Sequence, residues 1–418
     1  MRVLLEDIFR RAVAAAHPVK VLPPALAGLV LPDDARVTVV GAGKAAAAMA
    51  AALEQSFCTA GNLSGLVLTR YGHACTTRSI EVVEAGHPLP DAQGQAACLR
   101  MLDRVVHLQA EDTLIVLLSG GASSLLALPE AGITLADLRS VCAGLLASGA
   151  PIADINLVRR HLSFMLGGKL AARCSARIEV FLISDVVGDD PSVIASGPCH
   201  VDASTSVQAL ACLEAWRVPV PTRVRAFLDD GHGETVKPGD PLLARVTTHQ
   251  IANAATAQAA AADALRACGV SVIRLGEHFE EEARVLGAQH AAVALRLLVQ
   301  CASRPLALLS GGETRVRVSG SGRGGRNTEY LLSLALHLGG TAGIHALACD
   351  TDGIDGTEDN AGAYLAPDSL ARARALGLDA AQSLANNDAY GFFSALGDLV
   401  VTGPTRTNVN DLRLLLLT

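Results

Sequence analysis

Two short glycine-rich stretches of this chain, the second interleaved with two arginines, have the pattern of an anion-binding loop. Ser310-Gly311-Gly312-Glu313-Thr314 is followed by Ser319-Gly320-Ser321-Gly322-Arg323-Gly324-Gly325-Arg326-Asn327. Glycine lets backbone N–H groups approach a ligand without interference from a Cβ. Arginine adds a forked cationic donor that matches phosphate or carboxylate. The next run, Glu329-Tyr330-Leu331-Leu332-Ser333-Leu334, reads as a helix. The loop is therefore expected to empty onto a helix N-terminus, where anions bind well.

A second glycine turn, Gly41-Ala42-Gly43-Lys44-Ala45-Ala46, follows the strand-like Val37-Thr38-Val39-Val40. It fits the weak dinucleotide pattern G-x-G-x-x-A. The next strand ends at Thr69-Arg70, where an NAD site wants an acid for the ribose hydroxyls. A Walker A loop fails as well, because Thr38 stands where its first glycine belongs and Lys44 precedes alanine. What remains is a lysine at a helix start, in a chain with only Lys20, Lys44, Lys169 and Lys237 among 34 basic residues. Ser119-Gly120-Gly121 stops one buried strand and Ser310-Gly311-Gly312 stops another, so the two halves echo each other. Acidic clusters follow two further strands: Ser184-Asp185-Val186-Val187-Gly188-Asp189-Asp190, and Asp350-Thr351-Asp352-Gly353-Ile354-Asp355. Carboxylates at strand ends suit Mg²⁺ ligation or general-base work.

The elements that must hold these residues alternate between strand and helix, the signature of a parallel sheet with helices on both faces. Strands are expected at Val37–Val40, Leu66–Thr69, Ile80–Val83, Leu114–Leu118, Ile178–Ile183 and Leu306–Leu309, and helices from Ala45, Ala92, Asn156 and Glu280. With 418 residues, half of them hydrophobic and 3% aromatic, the chain is long enough for two domains. The polar Gly231–Pro241 stretch marks the boundary, giving a Rossmann-like domain over 1–235 and a second α/β domain over 236–418 that enclose a cleft. A net charge of −7 argues against nucleic acid. No apolar run reaches the length of a membrane span. Ten scattered cysteines without CxxC spacing suit a reducing cytoplasm. His87-Pro88-Leu89-Pro90-Asp91 reads as a turn with Asp91 capping the next helix.

These runs together resemble the class II glycerate 2-kinases, some of which are named hydroxypyruvate reductases. The resemblance spans nearly the whole chain. It rests on Gly41–Lys44, Gly86–Asp91, Leu118–Ser123, Val158-Arg159-Arg160-His161-Leu162-Ser163, Ser184–Asp189, Ile194–Pro198, Ser310–Thr314, Gly322–Glu329, Thr351–Gly356 and Gly403–Asp411. It implies two α/β domains, the second including the MOFRL region. It also implies transfer of the ATP γ-phosphoryl group to the 2-hydroxyl of D-glycerate with a divalent metal, Lys44, Arg323 and Arg326 being the catalytic cations. Two positions depart from the family pattern: Leu166 stands where lysine is usual, and Arg406 where glycine is usual.

The reading is an ATP- and Mg²⁺-dependent kinase, since phosphoryl transfer needs positioned cations and acids more than covalent chemistry. Lys44, Arg323, Arg326 and Asp185 are expected to be catalytic. Gly41, Gly43, Ser119, Gly120, Gly121, Ser184, Ser310, Gly311, Gly312, Glu313 and Asn327 are expected to bind substrate or nucleotide, and Asp189, Asp350 and Asp352 to bind metal. The sequence admits a homodimer. Two alternatives stay open: an NADPH-dependent hydroxypyruvate reductase using the Gly41 turn with Arg70 for the 2′-phosphate, and a nucleotide- or phosphosugar-sensing protein without turnover.

Overall fold

The computed structural model describes residues 1–31, 36–57, 63–301 and 304–418. Two compact units result, one from Pro18 to Ile251, the other from Met1–His17 together with Ala252–Thr418. This differs from the 235/236 division expected from composition. The Gly231–Pro241 stretch stays inside the first unit because its backbone is bonded there: the Val236 N–H donates to Gly167 O and the Asp202 N–H to Val236 O. The N-terminal helix Arg2–Ala15 joins the second unit, burying Leu5, Ile8, Phe9 and Ala12 and packing on the helix Ala254–Ala267.

The first unit is built on β1 (Val37–Ala42), β2 (Leu63–Arg70), β3 (Ile80–Ala85), β4 (Thr113–Leu118), β5 (Arg177–Ile183) and β6 (Val246–Ala252). Their order is β3-β2-β1-β4-β5-β6, with β1 to β5 parallel. That order is the doubly wound Rossmann arrangement. Every residue of β1 and β4 is buried, as sequences covered on both faces require. A separate apolar core, around Leu138, Val141, Val158, Leu162, Leu213 and Val224, binds the helices Leu135–Ala147, Ile152–Leu162, Ser206–Ala215 and Thr222–Asp229 together.

The second unit carries β7 (Ser271–Gly276), β8 (Leu306–Ser310), β9 (Ile344–Asp350), β10 (Gly362–Leu365), β11 (Leu399–Val400) and β12 (Asp411–Leu417), in the order β11-β10-β9-β12-β8-β7. Here only the β7–β8 pair among those registered is parallel. β12 inserts antiparallel between β8 and β9, pairing Arg413 with Ser310 and Asp411 with Asp350. The carboxyl ends of β8 and β9 and the amino end of β12 therefore meet at one edge. The helix Arg326–Leu338, buried along most of its length, packs on this sheet and brings its first residue to that edge.

Candidate active site

In the first unit the strand order reverses between β1 and β4. Ligands of open α/β sheets bind outside the strand ends at such a reversal. The Gly41–Lys44 turn leaves β1 there, and Ser119-Gly120-Gly121 leaves β4. The two turns are bonded to each other. Ser119 Oγ accepts from the Ala45 N–H at 3.0 Å, Gly120 O accepts from the Lys44 N–H at 2.9 Å, and the Gly43 N–H donates to Leu68 O. Gly43 has φ 130°, and a Cβ there would overlap Ser119; a Cβ on Gly41 would overlap the Leu117 carbonyl. The glycines are thus needed for close packing of two backbone turns. The dinucleotide expectation loses its physical basis, because the N–H groups that would hold a pyrophosphate are spent on protein acceptors.

Lys44 is held beside two histidines. A Cβ placed on Gly121 would lie 3.6 Å from Lys44 Cγ and 3.0 Å from His87 Nε2, so the lysine stem and the imidazole flank that residue. The His73 ring, almost fully buried, lies 3.3 Å from the Lys44 carbonyl. His87 and His73 are neighbours that a glycine-pattern reading does not find. The Gly86–Asp91 motif was the available signal for His87, and Asp91 caps the helix Ala92–Val106 as expected, accepting from the Gly94 N–H at 2.8 Å. On the same edge, Ser184 leaves β5 and accepts from the Val186 N–H at 3.3 Å. Asp185 follows it, and Asp189 takes a positive φ of 57°.

In the second unit Arg326 gathers carboxylates. Its Nε lies 2.9 Å from both Asp411 oxygens, Nη2 2.6 Å from Asp350 and Nη1 3.3 Å from Glu313. Burial opposes its charge, but Asp411, Asp350 and Glu313 more than offset that and raise its pKa well above the usual value. Asn327 donates to Asp411 at 2.8 Å. Nothing local marks Asp411 as the partner of an arginine 85 positions earlier. Arg413 supports it from below, donating to Asp411 at 2.6 Å and to the Gly311 carbonyl at 2.6 Å. The buried Asp355 accepts from the Asn327 and Thr328 N–H groups, both at 2.9 Å, and so occupies the helix N-terminus itself. Burial raises its pKa against the opposing effect of those bonds.

Arg323 faces elsewhere. It pairs with Glu358, lies 4.5 Å over the Tyr390 ring and remains 62% exposed. The two arginines of the loop therefore do not share a partner.

The loop's glycines also have a structural cause. Asn387 Oδ1 accepts from the Ser319 and Gly320 N–H groups, Asn386 Oδ1 from Ser321, Asn386 O from Gly322 and Asp388 Oδ1 from Arg323. A Cβ on Gly320 or Gly322 would overlap residues Asn386 or Asp388, and one on Gly325 would overlap Asp355. The expected row of N–H donors open to a ligand is thus corrected to a loop bonded down by its own protein. Ser310 Oγ and Asn327 Oδ1, both buried, have no hydrogen-bond partner among the described residues.

The metal expectation needs a similar adjustment. Among the described residues, no three His, Cys, Asp or Glu side chains gather as a metal site. Asp350 spends Oδ2 on Arg326 and Oδ1 on the Asp352 N–H, and Asp352 accepts from the Ile354 N–H at 2.8 Å. Such acids do not form a dedicated cage. A Mg²⁺ ion that keeps waters and phosphate oxygens, taking one or two protein carboxylates, does not require such a cage.

Comparison with known proteins accords with these features. Residues 4–229 match a domain of unknown function, DUF4147, and residues 306–411 match the MOFRL family. A protein of Agrobacterium vitis, provisionally named a hydroxypyruvate reductase, is 46% identical over 100% of this chain and 94% of its own length. The D-glycerate 2-kinase of Thermotoga maritima is 37% identical, covering 99% of this chain and 97% of its own. The crystal structure of a Thermotoga maritima glycerate kinase superposes with a TM-score of 0.88 over 100% of this chain and 99% of its own, at 37% identity.

Proposed function

The chain belongs to the MOFRL-containing glycerate 2-kinase family, and from that membership we propose that it transfers the γ-phosphoryl group of ATP to the 2-hydroxyl of D-glycerate, giving 2-phosphoglycerate and ADP. The observation that carries this reading is the full-length match to a solved glycerate kinase, with Lys44 standing where the strand order of the first sheet reverses. Lys44 supplies positive charge to the transferring phosphoryl oxygens, the main demand of this reaction. Arg323 is the more accessible of the two loop cations, 62% exposed against 20% for Arg326. Arg326 orders Asp350, Asp411 and Glu313 around itself. Asp185 takes the hydroxyl proton as the acceptor oxygen bonds phosphorus and the bond to ADP breaks. Ser119-Gly120-Gly121, Ser184 and Ser310-Gly311-Gly312-Glu313 with Asn327 shape the binding surfaces of their own units.

Mg²⁺ accompanying the nucleotide would offset phosphate charge; Asp189 in the first unit and Asp352 in the second are the carboxylates each unit would offer to such an ion. No described helix is long and apolar enough to cross a membrane, and the reading is that of a cytoplasmic enzyme able to act as a homodimer. The reductase alternative is disfavoured by the spent N–H groups of the Gly41–Lys44 turn.

Coupled assays on the purified protein test the proposal. ADP should form from ATP and Mg²⁺ only when D-glycerate is present, with 2-phosphoglycerate as product. NADPH oxidation with hydroxypyruvate, in the absence of any glycerate-dependent ADP, would overturn it.

A further inference from the structure

Among the described residues, Arg159 is a buried cation without a counter-charge. It sits on the helix Ile152–Leu162, is 3% exposed, and has five N–H donors. Among the described residues its Nη1 meets Asn156 Oδ1 at 3.3 Å and its Nη2 meets Pro88 O at 3.0 Å, both neutral acceptors, while Nε has no partner. Burying an ionised group without a paired charge is costly. Two other arginines show the usual solution. Arg160 lies 3.1 Å from Asp202, and Arg413, equally buried in the second unit, lies 2.6 Å from Asp411.

The place of Arg159 gives its partner a chemistry. Pro88, to which it donates, adjoins His87, and His87 shares the Gly121 turn with the stem of Lys44. Arg159 is therefore anchored to the segment that borders Lys44. We propose that Arg159 binds the carboxylate of the hydroxy acid whose hydroxyl is phosphorylated beside Lys44, its planar fork matching a carboxylate as lysine would not. This rests on the kinase reading and adds to it the group that selects an acid over an uncharged polyol or amide. Asn156 and the Pro88 carbonyl are positioning groups that hold the guanidinium plane.

The experiment compares wild type with Arg159→Gln and Arg159→Lys, using D-glycerate and its uncharged amide, D-glyceramide. Calorimetric titration gives binding, and ADP release gives turnover. For Arg159→Gln, kcat/KM with D-glycerate should fall by about 10²-fold, the loss of one hydrogen-bonded charge. KM for ATP should hold, and the low activity with D-glyceramide should stay the same or rise. Arg159→Lys should recover part of the loss. An equal fall for acid and amide, with the preference for acid retained, would overturn the proposal. If Arg159→Gln does not fold, the milder Asn156→Ala should raise KM for D-glycerate more than for D-glyceramide; equal effects would also overturn it. Wild type that binds D-glycerate in an Arg159-dependent way but releases no ADP would sink the kinase reading alone. Wild type that binds no D-glycerate would sink both.

Discussion

Lys44 is fixed at its backbone and has its chemistry at its tip. Its N–H donates to the Gly120 carbonyl at 2.9 Å, a bond that alanine would keep. Replacing Lys44 by Ala should therefore leave the turn in place, with a Tm close to wild type. If the ammonium stabilises the transferring phosphoryl group, kcat should fall by about 10²-fold or more. A large loss of Tm with activity per folded molecule intact would assign Lys44 to the fold instead. The two loop arginines should separate in the opposite sense. Arg326→Ala removes a counter-charge from Asp350 and Asp411, both almost fully buried, although Asp411 keeps Arg413, and should cost about 3–5 kcal/mol of stability. Arg323→Ala breaks a solvent-screened pair at the surface, so its Tm should barely move and any effect should be on kcat. Urea denaturation of both variants checks this; equal midpoints would contradict the assigned difference.

At the scale of elements, the strands and their turns were legible because periodicity and glycine placement are local. β1, β4, β5 and β8 lie where apolar runs end in Gly or Ser, and the helix Arg326–Leu338 contains the expected Glu329–Leu334 run but takes in Arg326 and Asn327 from the loop. What the loop does with its glycines was not legible, since its acceptors sit in Asn386-Asn387-Asp388, about 65 positions away. Glycine density signals close approach of backbone to something, and sequence alone does not say whether that is ligand or protein. The antiparallel β12 escaped notice for a related reason: Leu412 and Leu414–Leu417 read as apolar without declaring which strands they divide. The loop assignment makes its own prediction. Asn387→Ala removes the acceptor for the Ser319 and Gly320 N–H groups and a donor to buried Glu329. Amide exchange at Ser319 and Gly320 should accelerate, and the second unit should lose about 1–3 kcal/mol. Unchanged protection at both amides would mean the loop is held by something other than Asn387.

At the scale of the whole chain, buried histidines tie the stability of both units to pH. His161 and His200 belong to the first unit and His290 to the second, and burial pushes the pKa of each down to about 4. His161 hydrogen-bonds with Gly233 O and Ser204 Oγ, His200 with Thr248 Oγ1, and His290 with Tyr330 Oη. An unfolded histidine takes up its proton near pH 6.5. Between that value and about 4 the unfolded chain holds more protons than the folded one, so stability rises with pH across this window and is lost as pH falls through it. Below the window, His161 and His290 should each have cost their unit on the order of 3 kcal/mol, from about 1.4 kcal/mol per pKa unit. Because the two groups lie in different units, both thermal transitions should move to lower temperature between pH 7 and pH 5. Replacing His290 by Gln should flatten the shift of the second unit and leave that of the first. Calorimetric scans at the two pH values test this, and a transition temperature that does not fall on acidification would mean these histidines gain protons as easily when folded as when unfolded.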